Sequence, residues 1–361
     1  MVMPGLRNTG RRMMIDDLVR PHLREFRPYS SARIESSRPG ILLDANELTS
    51  GSPVMMGTVP LNRYPDPLQR TLRERIARYL GVAPDMIFAG VGSDEVIDLL
   101  IRLFCRPGEE SVAILEPTYG VYRVAANLND VRVIGIELDE RFQPDPAAVL
   151  GAVRPETKMI FCCSPNNPTG NILDRSRLET LCRDFGGLVV VDEAYVEFSS
   201  RPEAVLPLLR KYRNLIILRT FSKAWGLAGI RLGYCAADPA VVSYLHRIKA
   251  PYNLNSASAA LAQEAMALTD FLPLTVQAIA GERARVAGVL GGRPCVVHVY
   301  PSEANFLLVE FRESQRVYDL LCSRGIIVRR RAEPRLKDCL RITIGTPAEN
   351  DLLLSILSEI P

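Results

Sequence analysis

The sequence predicts an α/β protein in which a mostly parallel sheet is covered by helices on both faces, with an N-terminal arm before it and a smaller α+β part after it. Three observations predict this. Apolar segments alternate with helix-period segments from about residue 85 to 235. The apolar segments are near-continuous runs of Val, Ile and Leu, the sign of strands buried on both faces. The polar residues that stand out fall at the carboxyl ends of those strands, where open α/β sheets bind their ligands. After residue 255 the pattern changes to two helices followed by mixed strand and helix, which sets expected divisions at 1–45 (arm), 46–255 (large domain) and 256–361 (small domain).

Taken in order, residues 1–40 are polar, arginine-rich and broken by Pro4, Pro21, Pro28 and Pro39, which reads as an arm that packs on the small domain or on a partner subunit. Ile41 to Leu48 is a short strand entering a loop, and Pro65 and Pro67 keep the next segment extended just after Tyr64. Leu72, Ile76, Tyr79 and Leu80 have helical spacing, stopped by Gly81 and Pro84. A strand then meets Gly90, Gly92 and Ser93, a tight turn into a helix whose first turn carries Asp94 and Glu95. Unpaired N–H groups at such a helix start can hold an anion, although most glycine turns bind nothing. Further strands end at Pro117, ahead of Tyr119; at Ser164, ahead of Asn166 and Asn167; and at Val191, ahead of Asp192 and Tyr195. Leu215 to Leu218 is an apolar strand running into Ser222 and Lys223, with Arg231 eight residues on. In the last part His298 to Phe311 and Cys339 to Thr346 read as strands, and Ser314 to Gly325 as a helix.

Composition narrows the function. The chain is 47% apolar and 24% charged, as ordinary globular proteins are, and its net charge is +3 with no long basic run, so neither nucleic acid nor an anionic membrane is an expected partner. A small molecule is. Eight cysteines without a CxxC pair read as reduced thiols of a cytoplasmic protein. His22, His246 and His298 have no ligand spacing, so no metal is expected. No apolar run approaches the roughly 20 residues that span a bilayer. No apolar stretch of a secretory signal opens the chain.

Lysine usage singles out one residue. There are five lysines among 44 basic residues. Lys158, Lys211 and Lys337 fall in solvated positions and Lys249 in a mixed segment. Lys223 alone follows a strand and is flanked by Ser222 and small residues, with a second cation nearby in sequence. An amine shielded from water beside another cation loses part of its preference for the protonated form, as an amine that must attack a carbonyl requires. An ordinary surface ammonium is the plain alternative. What tips the balance is the set Asp192, Asn167, Tyr195, Tyr119, Arg231 and the Gly92-Ser93-Asp94 turn. Pyridoxal phosphate needs an amine, a carboxylate to keep its ring nitrogen protonated, and a phosphate site. A carboxylate at the end of an all-apolar strand, costly if unpaired, gains such a partner.

SPNNPTG, DEAY and SKAWGLAGIRLGY, in this order, resemble the fold-type I pyridoxal phosphate aminotransferases of the class I/II family, over nearly the whole chain. The resemblance implies that Lys223 bonds to the cofactor and moves the substrate's proton, that Asp192 pairs with the ring nitrogen, that Asn167 and Tyr195 meet the ring hydroxyl oxygen, and that Tyr119 stacks on the ring. It assigns the cofactor phosphate to Ser222, Arg231 and the backbone at Ser93 and Asp94, with Tyr64 reaching across from the neighbouring subunit of a homodimer. Arg341 would grip the substrate α-carboxylate as a bidentate fork. PYSSAR, LDANE, NRYPDP, GSDE, PTYGVY and GIIVR followed by CLRITIGT are most similar to the histidinol-phosphate aminotransferase branch. That branch exchanges the amino group between L-histidinol phosphate and glutamate, with imidazole acetol phosphate and 2-oxoglutarate as the keto partners. On this likeness Arg329 would bind the substrate phosphate, with Tyr29 and Asn46 in the same pocket. The run Arg329-Arg330-Arg331 leaves the register open, and Leu48 to Gly51 stands where the branch usually has proline, so the adjoining loop is expected to differ in shape. An aromatic aminotransferase and a threonine-phosphate decarboxylase are the alternatives within the family. A pyridoxal phosphate-binding regulator would need a DNA-binding domain, for which the arm is too short.

Overall fold

A computed structural model describes residues 40–43, 46, 65–201, 205–331 and 333–360. The chain begins with β1 (Ile41–Leu42) and α1 (Arg70–Leu80), then alternates: β2 (Ile87–Val91), α2 (Gly92–Phe104), β3 (Ser111–Glu116), α3 (Val121–Leu128), β4 (Arg132–Glu137), α4 (Pro146–Ala152), β5 (Thr157–Cys163), α5 (Arg175–Asp184), β6 (Leu188–Asp192), β7 (Leu215–Thr220) and β8 (Leu232–Ala236). Helices α6 (Pro239–Ile248), α7 (Ser256–Ala265) and α8 (Phe271–Gly291) follow. The chain then forms β9 (Val296–Val299), β10 (Phe306–Phe311), α9 (Ser314–Ser323), β11 (Ile326–Ile327), β12 (Arg329–Arg330), β13 (Cys339–Thr343) and α10 (Pro347–Leu357).

Seven strands form one sheet in the order β2-β8-β7-β6-β5-β3-β4. Only β8 runs against its neighbours β2 and β7; the other pairings are parallel. The continuous apolar runs are explained by burial on both faces. On β5, Ile160 and Cys162 pack in one core while Met159, Phe161 and Cys163 pack in another, and on β7 Leu215 and Ile217 separate in the same way from Ile216 and Leu218. Period-2 side-chain alternation thus feeds two apolar layers, so neither face selects polar residues. A second sheet, β12-β13-β10-β9, is antiparallel and carries its own core against α8, α9 and α10. Of the strand expected from residue 41, Ile41 and Leu42 pair with Ile326 and Ile327 of β11, and the Leu43 N–H donates to the Ile327 carbonyl.

Because β2, β3, β5, β6 and β7 are mutually parallel, their carboxyl ends share one edge of the sheet, and antiparallel β8 begins at that same edge. Close approach there depends on glycine. A Cβ on Gly233 of β8 would lie 2.3 Å from the Ser93 backbone nitrogen, so only glycine lets the start of α2 sit against β8. Gly92, with φ +72°, makes the turn from β2 into α2.

Just behind this edge lies a buried charged cluster. The Arg219 guanidinium holds the Glu193 carboxylate with nitrogen–oxygen distances of 2.9 and 2.8 Å. Glu197, in the turn after β6, is buried with neither carboxyl oxygen hydrogen-bonded among the described residues. Burial pushes its pKa up to about 7, against the opposing pull of the Arg219 charge. The folded chain therefore keeps a proton that the unfolded chain releases. Stability falls as pH rises from the ordinary carboxylate range to about 7, and the full penalty remains above it. Glu197→Gln removes the charge and should match the parent below pH 4, then exceed its unfolding free energy above pH 8 by ~2–3 kcal/mol. Chemical denaturation at both pH values measures this. An equal difference at the two would contradict the assignment.

Candidate active site

The edge formed by the strand ends gathers three groups of side chains. The first is centred on Asp192, the last residue of β6, which is 2% exposed. Its Oδ2 accepts a hydrogen bond from the Tyr122 hydroxyl at 2.7 Å, and its Oδ1 accepts from the Ala194 N–H at 3.1 Å. Desolvation pushes the Asp192 pKa up to about 6 despite both hydrogen bonds and the Lys223 charge, which favour ionisation. A buried carboxylate in this state is a receptor for a cation.

The second group joins the two sheets. The Tyr195 hydroxyl accepts from Asn46 Nδ2 at 3.2 Å and from Asn167 Nδ2 at 3.4 Å, which leaves its own proton free to donate. Asn167 Oδ1 accepts from Arg341 Nη1 at 2.5 Å. Asn46 takes φ 53°, a conformation that asparagine tolerates better than most residues, and is fixed on two sides: Thr343 Oγ1 donates to its Oδ1 at 2.8 Å, and Asn305 Nδ2 to its backbone oxygen at 3.0 Å. The Tyr195 ring meets Phe306 edge-on at 5.2 Å, and Lys223 Nζ lies 5.8 Å from the centre of the Tyr195 ring.

The third group lies at the start of α2. The Tyr119 hydroxyl donates to Asp94 Oδ1 at 3.2 Å, and Arg231 Nη2 lies 3.4 Å from Asp94 Oδ2. The Arg231 carbonyl accepts the Gly92 N–H at 3.0 Å, which ties the entry of β8 to the turn. Ser222 is held by Thr220, whose side-chain oxygen is 3.0 Å from the Ser222 hydroxyl and accepts the Ser222 N–H at 3.1 Å. The cradle is therefore the first turn of a helix, a hydroxyl and a guanidinium.

Of the arginine run, β12 resolves the facing. Arg329 sits directly opposite Arg341 of β13 in an antiparallel pair, so the two side chains leave the same face of the sheet. Arg330 lies with its guanidinium 5.6 Å from the Tyr318 ring centre, and Arg331 is paired with Glu333. Like charges directly opposite each other are unfavourable on their own, and an anion between them reverses the sign. The lysines sort only in part as the sequence implies, because Lys223 is half-buried while Lys249 is buried more completely. Lys211 and Lys158 pair with Glu179 and Glu110. Lys249 is buried, but its Nζ donates to the Ala250 and Pro251 carbonyls.

Ser93, Asp94, Tyr119, Asn167, Asp192, Tyr195, Ser222, Lys223 and Arg231 lie at this edge, Asn46 and Arg341 reach it from the second sheet through Tyr195 and Asn167, and Arg329 stands beside Arg341 on β12. Tyr29 and Tyr64 lie outside the described residues. Tyr122, Thr220, Asn305 and Thr343 are contacts the sequence reading missed. Two of them carried a signal: Tyr122 is three residues beyond Tyr119 at a helix start, and Thr343 is two beyond Arg341 on the same strand face. Among the described residues no helix is long and apolar enough to cross a membrane.

Known proteins resemble this chain over most of its length. The family model described as aminotransferase class I and II matches residues 54–357. The chain is 46% identical to a histidinol-phosphate aminotransferase of Parabacteroides distasonis, over 96% of its own length and 98% of the relative's. It is 44% identical to one of Cytophaga hutchinsonii, over 95% and 98%. The crystal structure of histidinol-phosphate aminotransferase from Sinorhizobium meliloti in complex with pyridoxal-5'-phosphate has the same fold, with a TM-score of 0.81 over 94% of this chain and 98% of that one at 24% identity. Strand order, the residues at the shared edge and the match over most of the sequence lead to one assignment: the chain belongs to the class I and II aminotransferases.

Proposed function

We propose that this chain transfers an amino group between L-histidinol phosphate and 2-oxoglutarate, forming imidazole acetol phosphate and glutamate, with pyridoxal phosphate as cofactor, as a step of L-histidine biosynthesis. The observation that carries the cofactor is Asp192: a carboxylate at 2% exposure with two fixed donors and a pKa pushed up to about 6 fits a protonated ring nitrogen. The cradle of α2's first turn, Ser222 and Arg231 fits a phosphate, and the Tyr119 ring and Tyr195 hydroxyl fit the ring between them. When bound, the cofactor supplies an aldehyde for the substrate amine and a ring that accepts negative charge from the α-carbon.

The chain's own groups do the rest. Lys223 would hold the cofactor through its aldehyde carbon and, once displaced from it by the substrate amine, its freed amine would take the proton from the substrate α-carbon. Asp192 keeps a positive charge at the ring nitrogen's position. The Tyr195 proton, free because its oxygen already accepts from Asn46 and Asn167, is available to a ring oxygen. Arg341 holds the α-carboxylate of glutamate. Arg329, on the same face, meets the phosphate of histidinol phosphate, with Asn46 and Tyr29 in that pocket. The pairing supports one site for both substrates, since each brings an anionic group that a guanidinium on this face can hold.

The unit proposed is a homodimer in which Tyr64 reaches the partner's cofactor phosphate. Eight buried thiols, none in a disulfide, suit the reducing cytoplasm.

Three experiments test the reading. Borohydride reduction of the yellow protein followed by peptide mapping should label Lys223, and inactive Lys223→Ala mixed with inactive Tyr64→Ala should regain part of its activity through hybrid dimers. Label on Lys249, or dead mixtures in which heterodimers are shown to form, would count against it. Single-turnover rates of both half-reactions separate the arginines. Arg329→Ala should lose about ten- to a hundredfold with histidinol phosphate and much less with glutamate, whereas Arg341→Ala should damage the glutamate half-reaction most. Equal losses for both substrates in Arg329→Ala would move an aromatic or general aminotransferase to first place.

A further inference from the structure

Tyr122 sits on α3 beneath the site, fully buried, and so far enters only as one of the two donors to Asp192. Its ring stacks on Phe161 of β5 with centroids 4.9 Å apart and planes 12° from parallel, and meets Tyr119 edge-on at 5.6 Å. A phenol clamped by two rings cannot swing its hydroxyl away, because only two torsions move it and both are packed. We infer that the Tyr122 hydroxyl is the positioning group for Asp192: by donating to Oδ2 it fixes the carboxylate's plane and favours its ionised form, and it thereby sets the acid limit of cofactor binding. This rests on the pyridoxal phosphate reading above.

Four ionisable groups act on the Asp192 carboxyl. Asp94 at the start of α2 favours the protonated form. Lys223 after β7 favours the ionised form, but on the reading above it is a reacting group whose charge changes during the cycle. The Cys163 thiol at the end of β5 feels the Asp192 charge, and burial and that charge push its own ionisation up, so it stays neutral. Tyr122, from α3, is held protonated by burial and by the same charge. It therefore remains a donor at every pH at which the enzyme works. With the Ala194 N–H on Oδ1, the two fixed donors leave the carboxylate's other lone pairs for a ligand.

The test is the affinity of the full-length protein for pyridoxal phosphate between pH 5 and 8, followed by absorbance. A donor lost from a charged acceptor raises its proton affinity, so in Tyr122→Phe the midpoint at which affinity falls on acidification should move up by about one pH unit. Tyr122→3-fluorotyrosine, a more acidic phenol and a stronger donor, should move it down. Phe161→Leu, which loosens the ring's packing and keeps the hydroxyl, should move it up by clearly less than Tyr122→Phe does. An unmoved midpoint in Tyr122→Phe, or an equal shift in Phe161→Leu, overturns the inference while leaving the cofactor reading intact. Should Tyr122→Phe not be recovered folded, an unmoved midpoint in the fluorotyrosine protein overturns it alone. Parent protein that binds no pyridoxal phosphate at any pH overturns both.

Discussion

The burial of one carboxylate organises this molecule. Asp192 closes a strand in which Val189, Val190 and Val191 are fully buried, in a sheet covered on both faces. Water cannot solvate it there, and the nearest compensation is two hydrogen bonds and a half-buried lysine. An isolated charge in that position destabilises the fold. A cation arriving there relieves that cost, which is how a ligand becomes part of the core.

The surrounding parts follow from topology. Parallel strands deliver their carboxyl ends to one edge, so Tyr119, Asn167, Asp192 and Lys223, far apart in sequence, meet there without special loops. The second sheet closes the other side through a continuous hydrogen-bonded chain from Thr343 through Asn46 and Tyr195 to Asn167 and Arg341. Arg341 thus belongs to the sheet of β13 and is held by a side chain from the loop after β5. A substrate anion at Arg341 would bear on both sheets at once, and packed elements with discrete arrangements respond to such a contact by small rigid shifts.

Much of this was legible in the sequence, for identifiable reasons. Runs such as Leu188 to Val191 admit few readings once helices alternate with them, and a strand-end polar residue in an α/β sheet has a default location. Lys223 stood out because arginine supplies nearly all other basic charge. The register within Arg329-Arg330-Arg331 was not legible, since it depends on which residue of β12 faces Arg341, and antiparallel pairing across distant segments fixes that. Asn305 and Thr343 were missed for a related reason: their hydrogen bonds span 259 and 297 residues, and no local pattern encodes them.

The most direct test of the central claim compares unfolding of the parent and Asp192→Asn at pH 8, each with and without pyridoxal phosphate. The Asp192 pKa is raised in the folded state, so its penalty is absent below the ordinary carboxylate range, grows as pH rises toward about 6, and is complete above it. Without cofactor the variant should therefore be more stable than the parent, by up to about 3 kcal/mol, and cofactor should stabilise the parent far more than the variant. A variant no more stable than the parent without cofactor, together with equal stabilisation of both by cofactor, would contradict the account.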